Sequence, residues 1–261
     1  MPKFYEIKNQ TETSNDLYIY GDIVTEKPDA DENSTDLKKF RELVEGMSGG
    51  QTLNIYLNSG GGSIFAASAM VSMLKRAQAR GVKVVSYIDG LAASAASLFP
   101  MVSDEAHIYP NSMLMIHKPI MCFFLAVLNA NDLTKYANEL ESIENGTLIP
   151  LYKSRSKLSD QKLKNAVANE TWYTADEIME NFEGFTLHEE EKAAAACTSD
   201  FFARYKNTPQ GFSASKNDPA PSPVPQDPAE PKAVANSEKS DMTSVYKNLF
   251  LLKKKGRIED D

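Results

Sequence analysis

The chain has 261 residues, with 28 Lys and Arg against 36 Asp and Glu, and a formal net charge of −8. At 42% hydrophobic and 25% charged residues it can bury one core of ordinary size plus an appendage, or two small cores. The acidic balance speaks against general nucleic-acid binding; two cysteines match no disulfide framework or metal-ligand spacing, and three histidines do not suit a multi-histidine metal site. The N-terminal MPKFYEIKNQTETSND lacks an apolar signal core, and the longest apolar-rich stretch, Leu91 to Val102, is too short to cross a bilayer. The expectation is a soluble, intracellular protein.

Along the chain, strand and helix patterns alternate. Asp16–Val24 (DLYIYGDIV) reads as a strand and Ser34–Glu45 as a helix opened by Ser or Thr caps. Thr52–Leu57 reads as a strand ending in the loop NSGGGS at 58–63. Ile64–Arg80 follows as a helix with Ala67, Met70, Val71, Leu74 and Ala77 on one stripe. Val82–Ile88 is apolar enough for a strand buried on both faces, and GLAASAASLFPMVS at 90–103 reads as a helix packed through alanines. Short strands are expected around Ala106–Tyr109 and Ser112–His117. A long polar helix should cover Asn131–Ser154, interrupted near Gly146 and Pro150, with another at Ser159–Asn169. This alternation predicts an α/β fold with mainly parallel pairing.

Composition changes near residue 206, and seven of the 13 prolines fall between Pro209 and Pro231. We therefore divide the chain into a body at 1–190, an alanine-rich C-terminal helix at 191–205, a flexible, disordered Pro-rich linker at 206–240 and an amphipathic basic segment at 241–261. Within the last, SVYKNLFLLKKKGR at 244–257 reads either as a frayed terminal helix or as a docking peptide that folds on a partner.

Three features of the body could carry chemistry. NSGGGS ends a strand with three glycines, which permit positive φ and close approach of backbone N–H groups to a ligand; a tight turn is the plainer reading. Ser94, in GLAAS, sits where a helix start would supply free N–H donors to an oxyanion, although a packing serine, or Ser97 or Ser63 in its place, is equally open on composition. His117, in MLMIHKP, ends an apolar strand and is the best base among the histidines. His107 reads as structural and His188 lies in the acidic run LHEEEK.

In order, NSGGGS at 58–63, GLAASAAS at 90–97, PNSMLMIHKP at 110–119 and ETWYTADEIMENFEGF at 170–185 resemble the blocks of the Clp protease proteolytic subunit, ClpP, over about residues 15–190. The resemblance implies a ClpP/crotonase-like α/β fold of repeated strand–strand–helix units with a protruding handle helix, here followed by the Pro-rich tail. It implies Ser94 as nucleophile, His117 as general base, and the backbone N–H groups of Gly62 and Ala95 as oxyanion hole. The family's Asp corresponds to Glu170, with Asp160 and Asp176 as alternatives. Gly60, Gly61, Ile120 and Cys122 are candidate substrate-binding positions. Gly60 stands where the family has proline, which should loosen the loop, and IMCFFLAVLNAND after the histidine is apolar where the family is glycine-rich.

The resemblance further implies a serine endopeptidase needing no cofactor or metal, assembled as a homo-oligomeric ring. Within the family the chain most resembles the head maturation, or prohead, proteases of tailed bacteriophages, which share the ETW-type acid segment and some of which carry C-terminal extensions. Capsid and scaffold proteins would then be the substrates, inside the immature prohead in the host cytoplasm, with neither nucleic acid nor membrane as partner and with 244–257 as a possible docking segment. The alternatives are a housekeeping ClpP-type degrader working with an AAA+ unfoldase, or a catalytically silent ClpP-like scaffold.

Overall fold

The computed structural model describes residues 5–8, 10–25, 34–123, 125–190, 197 and 199–209. Among the described residues ten strands and seven α-helices follow one another: β1 (Tyr5–Lys8), β2 (Ser14–Ile19), β3 (Asp22–Val24), β4 (Ser34–Asp36), α1 (Leu37–Glu45), β5 (Thr52–Ser59), α2 (Ile64–Ala79), β6 (Lys83–Ala93), α3 (Leu98–Val102), β7 (Glu105–Ile108), β8 (Met113–Ile116), α4 (Ala130–Ile143), α5 (Ile149–Lys153), α6 (Asp160–Ala168), β9 (Thr171–Thr174), α7 (Ala175–Asn181) and β10 (Phe185–Leu187). The main sheet runs β1-β2-β5-β6-β7-β10, with β8 and β9 added beside the second half of β6; β3 and β4 make a small separate pair. Pairing is parallel except at β1–β2 and β8–β9. The mixed α/β architecture expected from the sequence is thus the one observed.

Alternation along the strands separates the two faces of the sheet. Leu17, Ile19, Leu53, Ile55 and Leu57 are fully buried and join one continuous core with Phe40 of α1, Met70 and Leu74 of α2 and Phe99 of α3. On the opposite face Tyr18, Tyr56, Tyr87 and His107 lie in register on four neighbouring strands and stack at 4.5, 4.9 and 4.7 Å. His188 extends this row, its ring 3.2 Å from His107 by nitrogen-to-nitrogen distance. Two of the three histidines therefore belong to an aromatic ladder.

Several element boundaries differ from the sequence reading. The strand expected over 16–24 is divided at Tyr20 and Gly21 into β2 and β3, and the helix expected from Ser34 starts at Leu37, after β4. The helix expected over 90–103 is strand as far as Ala93. Leu91, Ala92 and Ala93 are wholly buried and paired to β8 on one side, with Ala92 also opposite Ser59 of β5. A strand buried on both faces shows no alternation, and small residues there imitate a packed helix. The long polar helix is continuous but changes pitch: α4 and α5 are joined by a π-turn at Glu144–Leu148. Pro150 has no N–H to return to the preceding turn, which accounts for the widening.

Among the described residues no helix is long and apolar enough to cross a membrane. The C-terminal helix expected over 191–205 is represented, within the described part, by one 3-10 turn at Asp200–Arg204; residues 191–196 and 198 lie outside it. Most of the 206–240 linker, from residue 210 on, and all of the 241–261 segment also lie outside the described residues.

Candidate active site

β6 delivers Ser94 to the end of a buried strand, and the chain turns sharply there: Ser94 has a φ of 52°. A non-glycine residue in this region costs about 1–3 kcal/mol and persists only where its surroundings hold it. Here the Ser97 hydroxyl donates to the Ser94 carbonyl at 2.5 Å and lies 2.8 Å from the Tyr152 hydroxyl. Ser97 is therefore committed to shaping the turn. Ser63 caps α2, accepting from the Ala66 N–H at 3.3 Å. Of the three serines open in the sequence, Ser94 is the one hydrogen-bonded to an imidazole, with its Oγ 2.6 Å from His117 Nε2.

His117 follows directly on β8 and is buried. Burial depresses its pKa from 6.5 to about 4, against the opposing charge of Glu170. The ring is therefore neutral near pH 7 and able to accept the Ser94 proton.

The glycine loop lies against the serine. A side chain on Gly61 would strike Ser94 Cβ and the Ala93 carbonyl, and the φ of 105° there also asks for glycine. β3 pins the loop, as the Ile23 N–H donates to Gly61 O and the Ser63 N–H to Ile23 O, both at 2.8 Å. Gly62 lies between those two bonds, bridged to Ile23. Gly62 and Ala95 both line a cavity of about 360 Å³ that also includes Ser94, His117, Ile120 and Cys122. Gly60 and Gly61 do not line it. Gly60 is covered instead, its carbonyl accepting from the Tyr205 hydroxyl.

Glu170 is buried, precedes β9 and also has positive φ, at 51°. Its carboxylate accepts the backbone N–H groups of Asn207 at 2.7 Å and Lys206 at 2.8 Å, and the Trp172 indole N–H at 3.3 Å. Among the described residues no hydrogen bond joins it to His117, which feels it through charge alone. The two alternatives lie elsewhere. Asp160 is exposed and paired to Lys153 at 2.7 Å, and Asp176 is exposed in the first turn of α7.

Sequence reasoning missed Tyr152, which holds Ser97, and Tyr205, whose ring meets His117 edge-on at 5.2 Å. The signal for Tyr205 was the aromatic cluster Phe201, Phe202 and Tyr205, masked by reading the segment as a simple helix.

A serine hydroxyl bonded to a neutral imidazole, beside a buried carboxylate and opening on an apolar cavity, can transfer an acyl group to water. Similarity to known proteins points to a peptidase. The family model of the Clp protease matches residues 8–182. The chain is similar to the ATP-dependent Clp protease proteolytic subunit 1 of Chlamydia abortus, 28% identical over 153 residues, covering 58% of this chain and 77% of the relative. The subunit 1 of Chlamydia muridarum is 27% identical over 182 residues, covering 69% and 90%. The ATP-dependent Clp protease proteolytic subunit of Porphyromonas gingivalis is 29% identical over 133 residues, covering 50% and 57%. With two thirds of its length inside the family model and the paired serine and histidine within that span, the chain belongs to the Clp protease family.

Proposed function

We propose that the protein is a serine endopeptidase in which Ser94, His117 and Glu170 form the catalytic group. The observation that carries this reading is the 2.6 Å contact between Ser94 Oγ and His117 Nε2 at the edge of the cavity. In the proposed sequence Ser94 Oγ attacks the scissile carbonyl as His117 takes its proton. The backbone N–H groups of Gly62 and Ala95 receive the developing oxyanion, and His117 then protonates the leaving amine. Water repeats the attack on the acyl-enzyme with His117 again as base. Glu170 stabilises the transient imidazolium by its charge. The apolar walls, Ile23, Ile64, Phe65 and Ile120 among them, suit an apolar side chain next to the cleaved bond.

Processing of capsid and scaffold proteins during phage head assembly is the finer reading. It is supported by the chain continuing well past residue 182, where the family match ends. The relatives' names attach ATP dependence to their own proteins; that favours, as the second reading, a degradative peptidase working beside an ATPase. Self-association belongs to both. It is supported by α4, none of whose residues is buried.

The test is to co-express the full chain, or its Ser94→Ala variant, with the candidate capsid and scaffold proteins and weigh the products by mass spectrometry. Shortened capsid protein with the wild type alone is the expected result. Intact capsid beside a Ser94 that reacts with a fluorophosphonate favours the degradative reading, and cleavage persisting in Ser94→Ala overturns the serine assignment.

A further inference from the structure

The segment after the family match returns to the active site. Ser199 Oγ donates to the Asp22 carboxylate at 2.6 Å, tying the segment to β3, and Cys197 Sγ lies 3.6 Å from the Asn58 carbonyl. Cys197, Phe202 and Tyr205 bury themselves against Leu91 and Ala93 of β6 and Met115 of β8. We propose that Ser199–Asn207 is a working wall of the catalytic site, in which Tyr205 is a positioning residue for His117 and the backbone N–H groups of Lys206 and Asn207 fix the Glu170 carboxylate. The inference rests on the serine-peptidase reading and adds parts to it from outside the family match.

Gly60 supports it independently. Its backbone does not have positive φ, so the turn itself does not require glycine there. A Cβ at this position would lie 2.5 Å from Ser199 Cβ and Oγ and 3.2 Å from the Phe202 ring. What excludes a side chain at 60 is the returning segment. Gly60 is thus the seat of the wall, and its carbonyl takes the Tyr205 hydroxyl. The geometry also argues that the wall belongs to a working site and is not a plug. With it in place Ser94 still bonds His117, and the cavity remains, lined by Ile120 and by Phe201 and Arg204 of the wall among others. Among the described residues the groups acting on His117 are the Ser94 hydroxyl from the end of β6 and the Glu170 carboxylate from the turn before β9, while the wall brings the Tyr205 ring against the imidazole edge-on and its hydroxyl to the Gly60 carbonyl. The Tyr205 ring is part of the cover that keeps water from the imidazole.

The experiment uses the full chain and a fluorescent alkyl fluorophosphonate, followed as labelling rate against pH, with thermal unfolding as a check on folding. Ser94→Ala should not label. Tyr205→Ala and Gly60→Ala reach the same contact from opposite sides, and each should slow labelling at neutral pH by about 10-fold or more while moving the acid limb of the profile up towards an ordinary histidine. Tyr205→Phe keeps the ring on His117 and should lose less than Tyr205→Ala. Unchanged rate and unchanged acid limb in folded Tyr205→Ala and Gly60→Ala overturn the proposal, as does faster labelling, which would make the segment a restraint on the site. A wild type that does not label at all overturns the serine-peptidase reading itself, and the wall falls with it.

Discussion

His117 is held between two opposed influences, burial that disfavours its charged form and the Glu170 carboxylate that favours it, and burial dominates. An ordinary histidine titrates near 6.5; with its pKa at about 4, His117 stays an effective base well into mild acid. The reaction of Ser94 with a fluorophosphonate should accordingly hold its rate from pH 7 down to about 5 and fall as pH passes through about 4. A limb near 6.5 would mean that the ring is solvated. The same shift bears on stability: between about 6.5 and 4 the unfolded chain binds a proton that the folded one refuses, so acid in that window destabilises the fold. Glu170 is the residue whose role the geometry narrows most. Its carboxylate takes three N–H donors on its two oxygens and reaches the imidazole by charge; Glu170→Gln keeps the size, removes the charge and sets an amide N–H against at least one of those donors. We expect a loss of about 10²- to 10⁴-fold in peptide cleavage, the upper figure being that of a triad whose acid is made neutral. Asp160→Asn, at an exposed ion pair with Lys153, should leave the rate unchanged. The reverse ranking in a kinetic comparison of the two variants would move the acid's role to Asp160.

At the scale of elements, the site is made where β6 stops, where β8 stops and where the glycine loop is clamped by β3. Gly62 is the tightest point of that clamp. It has φ 143°, and a Cβ added there would fall on the backbone of Ile23. Gly62→Ala should therefore separate β3 from the loop, displace the candidate oxyanion N–H and slow cleavage by about 10²-fold, the cost of losing one such donor. Circular dichroism should remain that of the wild type; unchanged kinetics would show that the Gly62 N–H has no part in the reaction. The glycine loop and the first part of the buried strand were readable in the sequence because glycines and apolar runs impose local constraints, whereas Ser94 and His117 stood out only through the resemblance to the Clp protease blocks, composition leaving Ser63 and Ser97 equally open. The extension of β6 to Ala93 was not readable, since a doubly covered strand of small residues carries no period. The division of β2 from β3 was hidden for a related reason: Tyr20 and Gly21 interrupt pairing without interrupting the apolar pattern. Nor could the pattern show Tyr152 holding Ser97 or Tyr205 covering His117, because those contacts join residues 55 and 88 positions apart and depend on tertiary packing alone.

For the whole molecule, the open question is what covers the segment after His117. The sequence there is apolar without glycine, and the fold leaves it outside: Phe123 is 44% exposed, Leu125 88%, Val127 99% and Leu133, in α4, 55%. Its base is firmly built, with a capping box from Asn129 to Asp132 and a Lys118–Glu144 ion pair at 3.2 Å, so the exposure is not that of a frayed end. Large exposed apolar side chains on a well-capped helix and on the irregular segment before it are more apolar surface than a monomer keeps in water without use. A neighbouring copy of the same chain is the occupant that family membership favours, because symmetric assembly offers each copy the same complementary face. Charging that face without touching the core should dissolve the assembly. Val127→Glu with Leu133→Glu is expected to shift the sedimentation of the full chain from an oligomer to a monomer, with the thermal unfolding of the monomer body little changed, since neither side chain contributes to the core. If cleavage falls with the oligomer while Ser94 still reacts with the fluorophosphonate, assembly serves substrate capture; if labelling is lost as well, contact between copies completes the catalytic group. An oligomer that survives both substitutions would place the interface on another surface.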